Sequence, residues 1–189
     1  AYVPNKIETI ISFLACAKNG IIWSSCSPDF GVQGVVDRFK QIEPKVLITS
    51  DYYFYNGKKI NILDKVDEVT KQIPSIEKVI VYNYYKKEKE NLKNFIDFEE
   101  TLNIESDETF ERFEFNHPIY ILYSSGTTGK PKCITHGAGN VLIEHNKEFM
   151  LHCNIKESEK LFYYTTTGWM MWNWLIGGLA VGSSVYLFD

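Results

Sequence analysis

Ten consecutive residues, Tyr123-Ser124-Ser125-Gly126-Thr127-Thr128-Gly129-Lys130-Pro131-Lys132, concentrate groups that bind anions. Four hydroxyls, two glycines and two lysines fall within the nine residues from Ser124 to Lys132. Glycine lets the backbone turn through positive φ and approach a ligand closely. Successive backbone N–H groups in such a turn make a concave anion site. Hydroxyl and ammonium donors add to it, and a multiply charged phosphate chain is the ligand that would use them all. A polar surface turn joining two strands can also be rich in Ser, Thr and Gly, but two lysines beside two glycines set this one apart.

The flanks say how such a loop is held. Ile119, Ile121 and Leu122 lead in and predict a buried strand. Lys132-Cys133-Ile134-Thr135-His136 leads out with the alternation of a second strand. The P-loop of nucleotide hydrolases, Gly-x-x-x-x-Gly-Lys-[Ser/Thr], is the competing pattern. Gly129-Lys130 fits it, but Ser124 stands in place of its first glycine and Pro131 in place of its metal-binding hydroxyl. Proline also bars the loop from running straight into a helix interior. The pattern therefore predicts a strand–loop–strand phosphate grip.

These residues resemble the phosphate-loop signature of the adenylate-forming superfamily, which includes acyl-CoA synthetases, luciferases and nonribosomal adenylation domains. A second block, Tyr164-Thr165-Thr166-Thr167-Gly168-Trp169-Met170-Met171-Trp172-Asn173-Trp174, is similar to the acetoacetyl-CoA synthetase branch. Acetyl- and propionyl-CoA synthetases usually carry Asp two residues before that Gly-Trp, where this chain has Thr166. The resemblance covers essentially the whole chain and is weaker through its charged middle. It implies an ATP-dependent acid–thiol ligase that makes acetoacetyl-AMP and then acetoacetyl-CoA. ATP, Mg2+ and CoA are then expected, with acetoacetate as the acid. Ser124, Ser125, Gly126, Thr127, Thr128, Gly129, Lys130 and Lys132 are the expected phosphate contacts. Of the two lysines the family signature favours Lys132 as catalytic, and Thr128 is expected to join it and to offer its hydroxyl to the metal. Thr166, Trp169, Met170, Met171, Trp172 and Asn173 are expected to form the acid pocket, with Asn173 or Thr166 facing the ketone. Another short-chain acid (acetate, propionate or 3-hydroxybutyrate) and a noncatalytic nucleotide-binding module remain alternatives.

Members of that superfamily are several times longer. Residues 1–189 read as part of the large N-terminal adenylation domain, with both ends inside a larger protein and the small C-terminal domain not included. The fragment alone is expected to be inactive, because the superfamily's Tyr-Gly-x-Thr-Glu segment, hinge aspartate and C-terminal lysine have no counterpart here.

Composition sets the outer bounds. At 189 residues, 44% hydrophobic and 23% charged, the chain suits one domain with a sizeable core. A net charge of −4 argues against nucleic acid or an anionic membrane as partner. The sequence has no run of about twenty apolar residues that would span a bilayer. Cys16, Cys26, Cys133 and Cys153 have no metal-ligand spacing, and Cys16 and Cys133 read as buried thiols in a reducing cytoplasm. His117, His145 and His152 form no constellation with cysteine or carboxylate. His136 follows the phosphate loop and is either packed or a polar contact near the acyl or nucleotide site.

Periodicity predicts how these segments are positioned. Helices are expected over Pro4–Ala17, Val32–Ile42 and Ile60–Ile73, and strands at Ile21–Ser24, Val46–Thr49 and Val79–Val81. This alternation predicts an α/β fold, a mostly parallel sheet with helices on both faces. Tyr84–Lys93 alternates in charge sign and reads as a solvated loop or exposed helix. Phe95–Leu102 reads as a short helix, and Ser106–Glu114 as acidic and exposed. After the grip come a helix from about Val141 to Leu151, a strand Leu161–Tyr164, an apolar helix through Trp172 and Leu179, and a strand Val185–Phe188.

Overall fold

A computed structural model describes residues 1–84, 95–105, 109–124 and 129–189. The charged segment predicted between Tyr84 and Lys93 lies outside the described residues from position 85 onward. So do Ser125, Gly126, Thr127 and Thr128.

Helix α1 (Ile7–Lys18) carries Ile10 and Phe13 on its buried face and stops before Gly20, whose φ of +64° suits a residue without Cβ. Helix α2 (Val32–Phe39) buries Val35, Val36 and Phe39. Strand β1 (Val46–Ser50) follows Pro44, and helix α3 (Leu63–Gln72) presents Leu63, Val66 and Val69 at helical spacing. Strand β4 (Lys78–Tyr82) pairs in parallel with β1, Leu47 opposite Val79, and with β5 (Phe95–Asp97) on its other side.

Between β1 and α3 the chain makes an antiparallel hairpin, β2 (Tyr52–Tyr55) and β3 (Lys58–Asn61). This corrects the expectation of a helix starting at Ile60. Asn56 and Gly57, with φ of 49° and 71°, turn it tightly. Phe95–Leu102 also departs from expectation. It splits into β5 and α4 (Phe98–Leu102), because the Asp97 side chain accepts from Glu99 N at 3.0 Å and starts the helix there. The predicted strand Ile21–Ser24 is reduced to a single bridge, Trp23 to Tyr120.

Strands β6 (Pro118–Tyr123) and β7 (Cys133–Gly137) are antiparallel, with Tyr123 opposite Cys133. Bridges of Tyr2 to Thr49 and Cys26, and of Trp23 to Tyr120, join them to the parallel part. The sheet thus runs β5, β4, β1, the 1–3 segment, the 23–26 segment, β6 and β7. Helix α5 (Ala138–Lys147) runs into a π-helical turn, Glu148–His152. Short parallel strands β8 (Lys160–Leu161) and β9 (Ser184–Val185) flank α6 (Met170–Gly177) and the 3-10 turn Gly178–Val181.

The core has two main faces. Helices α2 and α3 pack on Leu47, Val79 and Val81. Helices α1 and α6 pack on the other side, where Phe13, Trp23, Tyr120 and Trp172 meet. Covering both faces produces the continuous apolar strands of an α/β fold. All four cysteines are free; Cys26 is buried and Cys16 half-buried, but Cys133 is exposed, contrary to expectation. Cys133, Ile134 and Thr135 are all exposed at the start of β7, and the Cys133 thiol donates to Gln41 Oε1 at 3.7 Å. Among the described residues no helix is long and apolar enough to cross a membrane.

Candidate functional site

Strand β6 delivers the chain to the loop as predicted, and β7 takes it away. The loop is closed at its base by two hydrogen bonds. Ser124 N donates to Lys132 O at 3.0 Å, and Lys132 N donates to Ser124 Oγ at 3.0 Å. The Ser124 hydroxyl is therefore engaged as an acceptor within the loop, leaving its own proton for a ligand. Gly129, Lys130 and Lys132 are exposed, and a Cβ at Gly129 would meet open space. Among the described residues neither Lys130 nor Lys132 has an anionic partner. Two free ammonium groups on one short loop repel each other and attract an anion.

The strand leading in is anchored from behind. Ser24 Oγ donates to Ile121 O at 2.9 Å and is hydrogen-bonded to Tyr123 Oη at 3.0 Å. Burial pushes the Tyr123 phenol well above its usual range, so it stays neutral. The Arg38 guanidinium of α2 lies over Phe30 at 4.7 Å and over Tyr123 at 5.8 Å. His136, on β7 opposite Tyr120, has its ring 5.0 Å from the tyrosine. Desolvation lowers its pKa.

The second segment divides by depth. Trp169, at the N-cap of α6, is 59% exposed, and Met170 is also exposed. Met171 is half-buried. Trp172 is fully buried, stacked on Trp23 with centroids 6.3 Å apart and planes 19° apart, and edge-on to Phe13. Its Nε1 donates to Asn5 Oδ1 at 2.9 Å. Asn173 is 3% exposed, yet among the described residues Nδ2 and Oδ1 have no partner, and Thr166 Oγ1 is likewise buried and unpaired. An unpaired buried amide costs about 1–3 kcal/mol, so it calls for a partner not among the described atoms. A cavity of about 100 Å3 reaches Thr166, bordered by Asn5, Asp29 and Tyr53. A wider cleft of about 700 Å3 is lined mostly by apolar residues, Leu47 and Ile48 among them, and touches neither segment's polar groups.

Thr167, Ser25 and Gly168 fix the second segment against the rest of the fold. Thr167 Oγ1 donates to Val3 O at 2.7 Å, while Ser25 Oγ donates to Thr167 O at 2.6 Å. Gly168 sits so close to the 27–30 turn that a Cβ would lie 3.1 Å from Ser27 N and 3.3 Å from the Phe30 ring. Phe30 is the ring that carries Arg38, and Arg38 touches Tyr123. The two segments are thus linked through Gly168, Phe30, Arg38 and Tyr123. Among the described residues no three His, Cys, Asp or Glu side chains converge as a metal site.

Several of the proteins to which the chain is similar are acetoacetyl-CoA synthetases. Acetoacetyl-coenzyme A synthetase of Rhizobium meliloti (strain 1021) is 49% identical over 193 residues, covering 100% of this chain and 30% of that protein. Acetoacetyl-CoA synthetase of Gallus gallus is 46% identical over 197 residues, with 100% and 30% covered. The solved structure of acetoacetyl-CoA synthetase from Streptomyces lividans superposes with a TM-score of 0.94 at 41% identity, covering 100% of this chain and 29% of that one. The chain therefore spans about 30% of the length of these relatives. The AMP-binding enzyme family matches residues 1–189, and the chain belongs to that family.

Proposed function

We propose that the longer polypeptide containing this chain ligates acetoacetate to CoA, with ATP converted to AMP and diphosphate. Residues 1–189 form part of its adenylation domain. The observation that carries this reading is the loop between Ser124 and Lys132, closed at its base and bearing two ammonium groups that have no anionic partner among the described residues.

In the first step a carboxylate oxygen of the acid attacks the α-phosphorus of ATP, and the bond to the bridging oxygen of diphosphate breaks. Two anions must approach, and charge builds on the leaving phosphates. Fixed cations and N–H groups aimed at that charge supply most of the stabilisation in such transfers. Lys132 and Lys130 offer the cations, with Ser124 and Gly129 at the loop ends. Ser125, Gly126, Thr127 and Thr128 would complete the cradle. Magnesium would arrive as the ATP complex, neutralising phosphate charge, and the Thr128 hydroxyl is the loop group suited to it. In the second step the CoA thiolate attacks the acyl carbon of the mixed anhydride and AMP leaves; the CoA site lies largely outside this chain.

The acid is assigned to the α6 segment. Trp169 and Met171 give it apolar walls, while Trp172 shapes the pocket from within the core. Asn173 Nδ2 or Thr166 Oγ1 would donate to the ketone oxygen, and neither has a partner among the described residues. Four free thiols fit a cytoplasmic enzyme.

The test is pyrophosphate exchange by the full-length polypeptide with acetoacetate, acetate and malonamate, in which an amide replaces the methyl ketone. Exchange dependent on acetoacetate and much weaker with acetate is expected. Equal exchange with acetate overturns the acid assignment, and no exchange with any acid overturns the ligase reading.

A further inference from the structure

The turn that ends α2 reaches the outgoing end of the phosphate loop. Gln41 Nε2 donates to Pro131 O at 2.8 Å and to Asp37 O of its own helix at 2.6 Å. Its Oε1 accepts from the Cys133 thiol at 3.7 Å. Both amide hydrogens and the amide oxygen are engaged, so the orientation is fixed: flipped, the oxygen would face two carbonyl oxygens. One turn earlier on the same side, Arg38 lies over Tyr123 at the incoming end. The end of α2 therefore touches the residue before the loop and the residue before Lys132.

We propose that Gln41 is a positioning residue for the phosphate loop, fixing the Pro131–Lys132 peptide so that the Lys132 cation faces the triphosphate. The inference rests on the ligase reading given above. Gln41 touches no reacting atom; it acts through Pro131. Pro131 has no N–H and a fixed φ, so its carbonyl is the backbone group through which that residue can be tied down. A loop held in place before ATP arrives loses less conformational freedom on binding, and the effect belongs to ATP affinity.

The donor character of position 41 separates this role from simple packing. Glutamate has nearly the shape of glutamine but cannot donate to Pro131 O when ionised. Lysine differs in shape but can. In the full-length polypeptide, Gln41→Glu is expected to raise KM for ATP about fivefold, the worth of one ordinary hydrogen bond, with kcat and KM for CoA little changed. Gln41→Lys is expected to stay within about twofold of the unsubstituted enzyme, within the scatter of such contacts. Gln33→Leu, at the opposite end of α2 where Gln33 donates to Asp37 Oδ1, serves as a control with unchanged kinetics. Thermal unfolding of each variant shows whether folding is affected. If Gln41→Glu keeps the original KM for ATP, or if Gln41→Lys is as impaired as Gln41→Glu, the positioning role is wrong while the ligase reading stands. If the unsubstituted polypeptide exchanges no pyrophosphate, both fall together.

Discussion

Ser124 and Lys132 are tied in both directions across the mouth of the loop, backbone N–H to backbone carbonyl one way and backbone N–H to side-chain hydroxyl the other, each at 3.0 Å. Only the second bond depends on the side chain. Ser124→Ala removes the acceptor for Lys132 N and leaves β6–β7 pairing intact. A loss of about 1 kcal/mol in loop definition is expected, read as a rise of about fivefold in KM for ATP. Ser124→Thr keeps the hydroxyl and should lie close to the original enzyme. Equal kinetics for the alanine variant in pyrophosphate exchange would show that the side-chain bond has no part in binding.

Asn173 poses a different trade. Its amide is buried and unpaired, so its replacement by leucine, of similar size, removes a desolvation cost. Asn173→Leu is expected to raise the thermal midpoint, by the few degrees that about 1 kcal/mol confers. The same change is expected to abolish the preference for acetoacetate over acetate. Sites that hold polar groups ready for a ligand give up stability to do so. A variant that is less stable than the parent and keeps its preference would show that Asn173 has structural partners instead.

The sequence revealed the parts of the fold that are local and periodic. Val66 and Val69 on α3 and Leu47 within β1 fall where their spacing puts them. Helix α1 forms as expected, but of the apolar series Ile7, Ile10, Ile11, Leu14 and Ala17 only Ile10 is buried, and Phe13 takes the core side while Ile7, Ile11 and Leu14 are exposed. The loop between β6 and β7 was legible because Pro131 and the alternation after it exclude a helix. What escaped depends on distant partners. The 21–24 segment has the residues of a strand, but most of its pairing is confined to Trp23 with β6, about a hundred residues on. Thr167 looked like any threonine in a hydroxyl-rich turn, since its acceptors are Val3 O and Cys26 O, 164 and 141 residues earlier. The hairpin at Tyr52–Asn61 carries a local signal and a competing one. Asn56-Gly57 is a strong turn signal, but Ile60 falls in phase with the helix that follows.

Trp172 tests whether core and pocket can be told apart. It was grouped with the acid-binding residues, and the structure places it wholly inside the core against Trp23 and Phe13. Trp172→Ala should destabilise the full-length protein by about 3–5 kcal/mol. Trp172→Phe keeps much of the volume but leaves Asn5 Oδ1 without its donor, costing about 1–3 kcal/mol. Met171→Ala, at a half-buried position, should change acid preference with a smaller effect on stability. Urea denaturation beside pyrophosphate exchange separates the two effects. A Trp172→Phe protein of unchanged stability would mean that the indole N–H bond to Asn5 contributes nothing.

His145 carries a prediction about pH. It lies buried on α5, its ring 6.1 Å from Phe149, and a Cβ at Gly177 would collide with it. Desolvation pushes its pKa down; Glu144 and Glu148 oppose this and His136 adds to it. His136 is lowered by desolvation as well. A histidine with a depressed folded-state pKa binds fewer protons folded than unfolded in the window just below its ordinary value of about 6.5. Stability is then complete above that value and falls as pH drops through it toward the folded-state pKa. The urea midpoint of the full-length protein should fall between about pH 7.5 and about pH 5.5, the range in which these imidazoles charge. His145→Gln should lose part of that fall, and adding His136→Gln should lose more. If the double variant shows the same drop as the parent, the pH dependence comes from other groups and the two imidazoles are not its source.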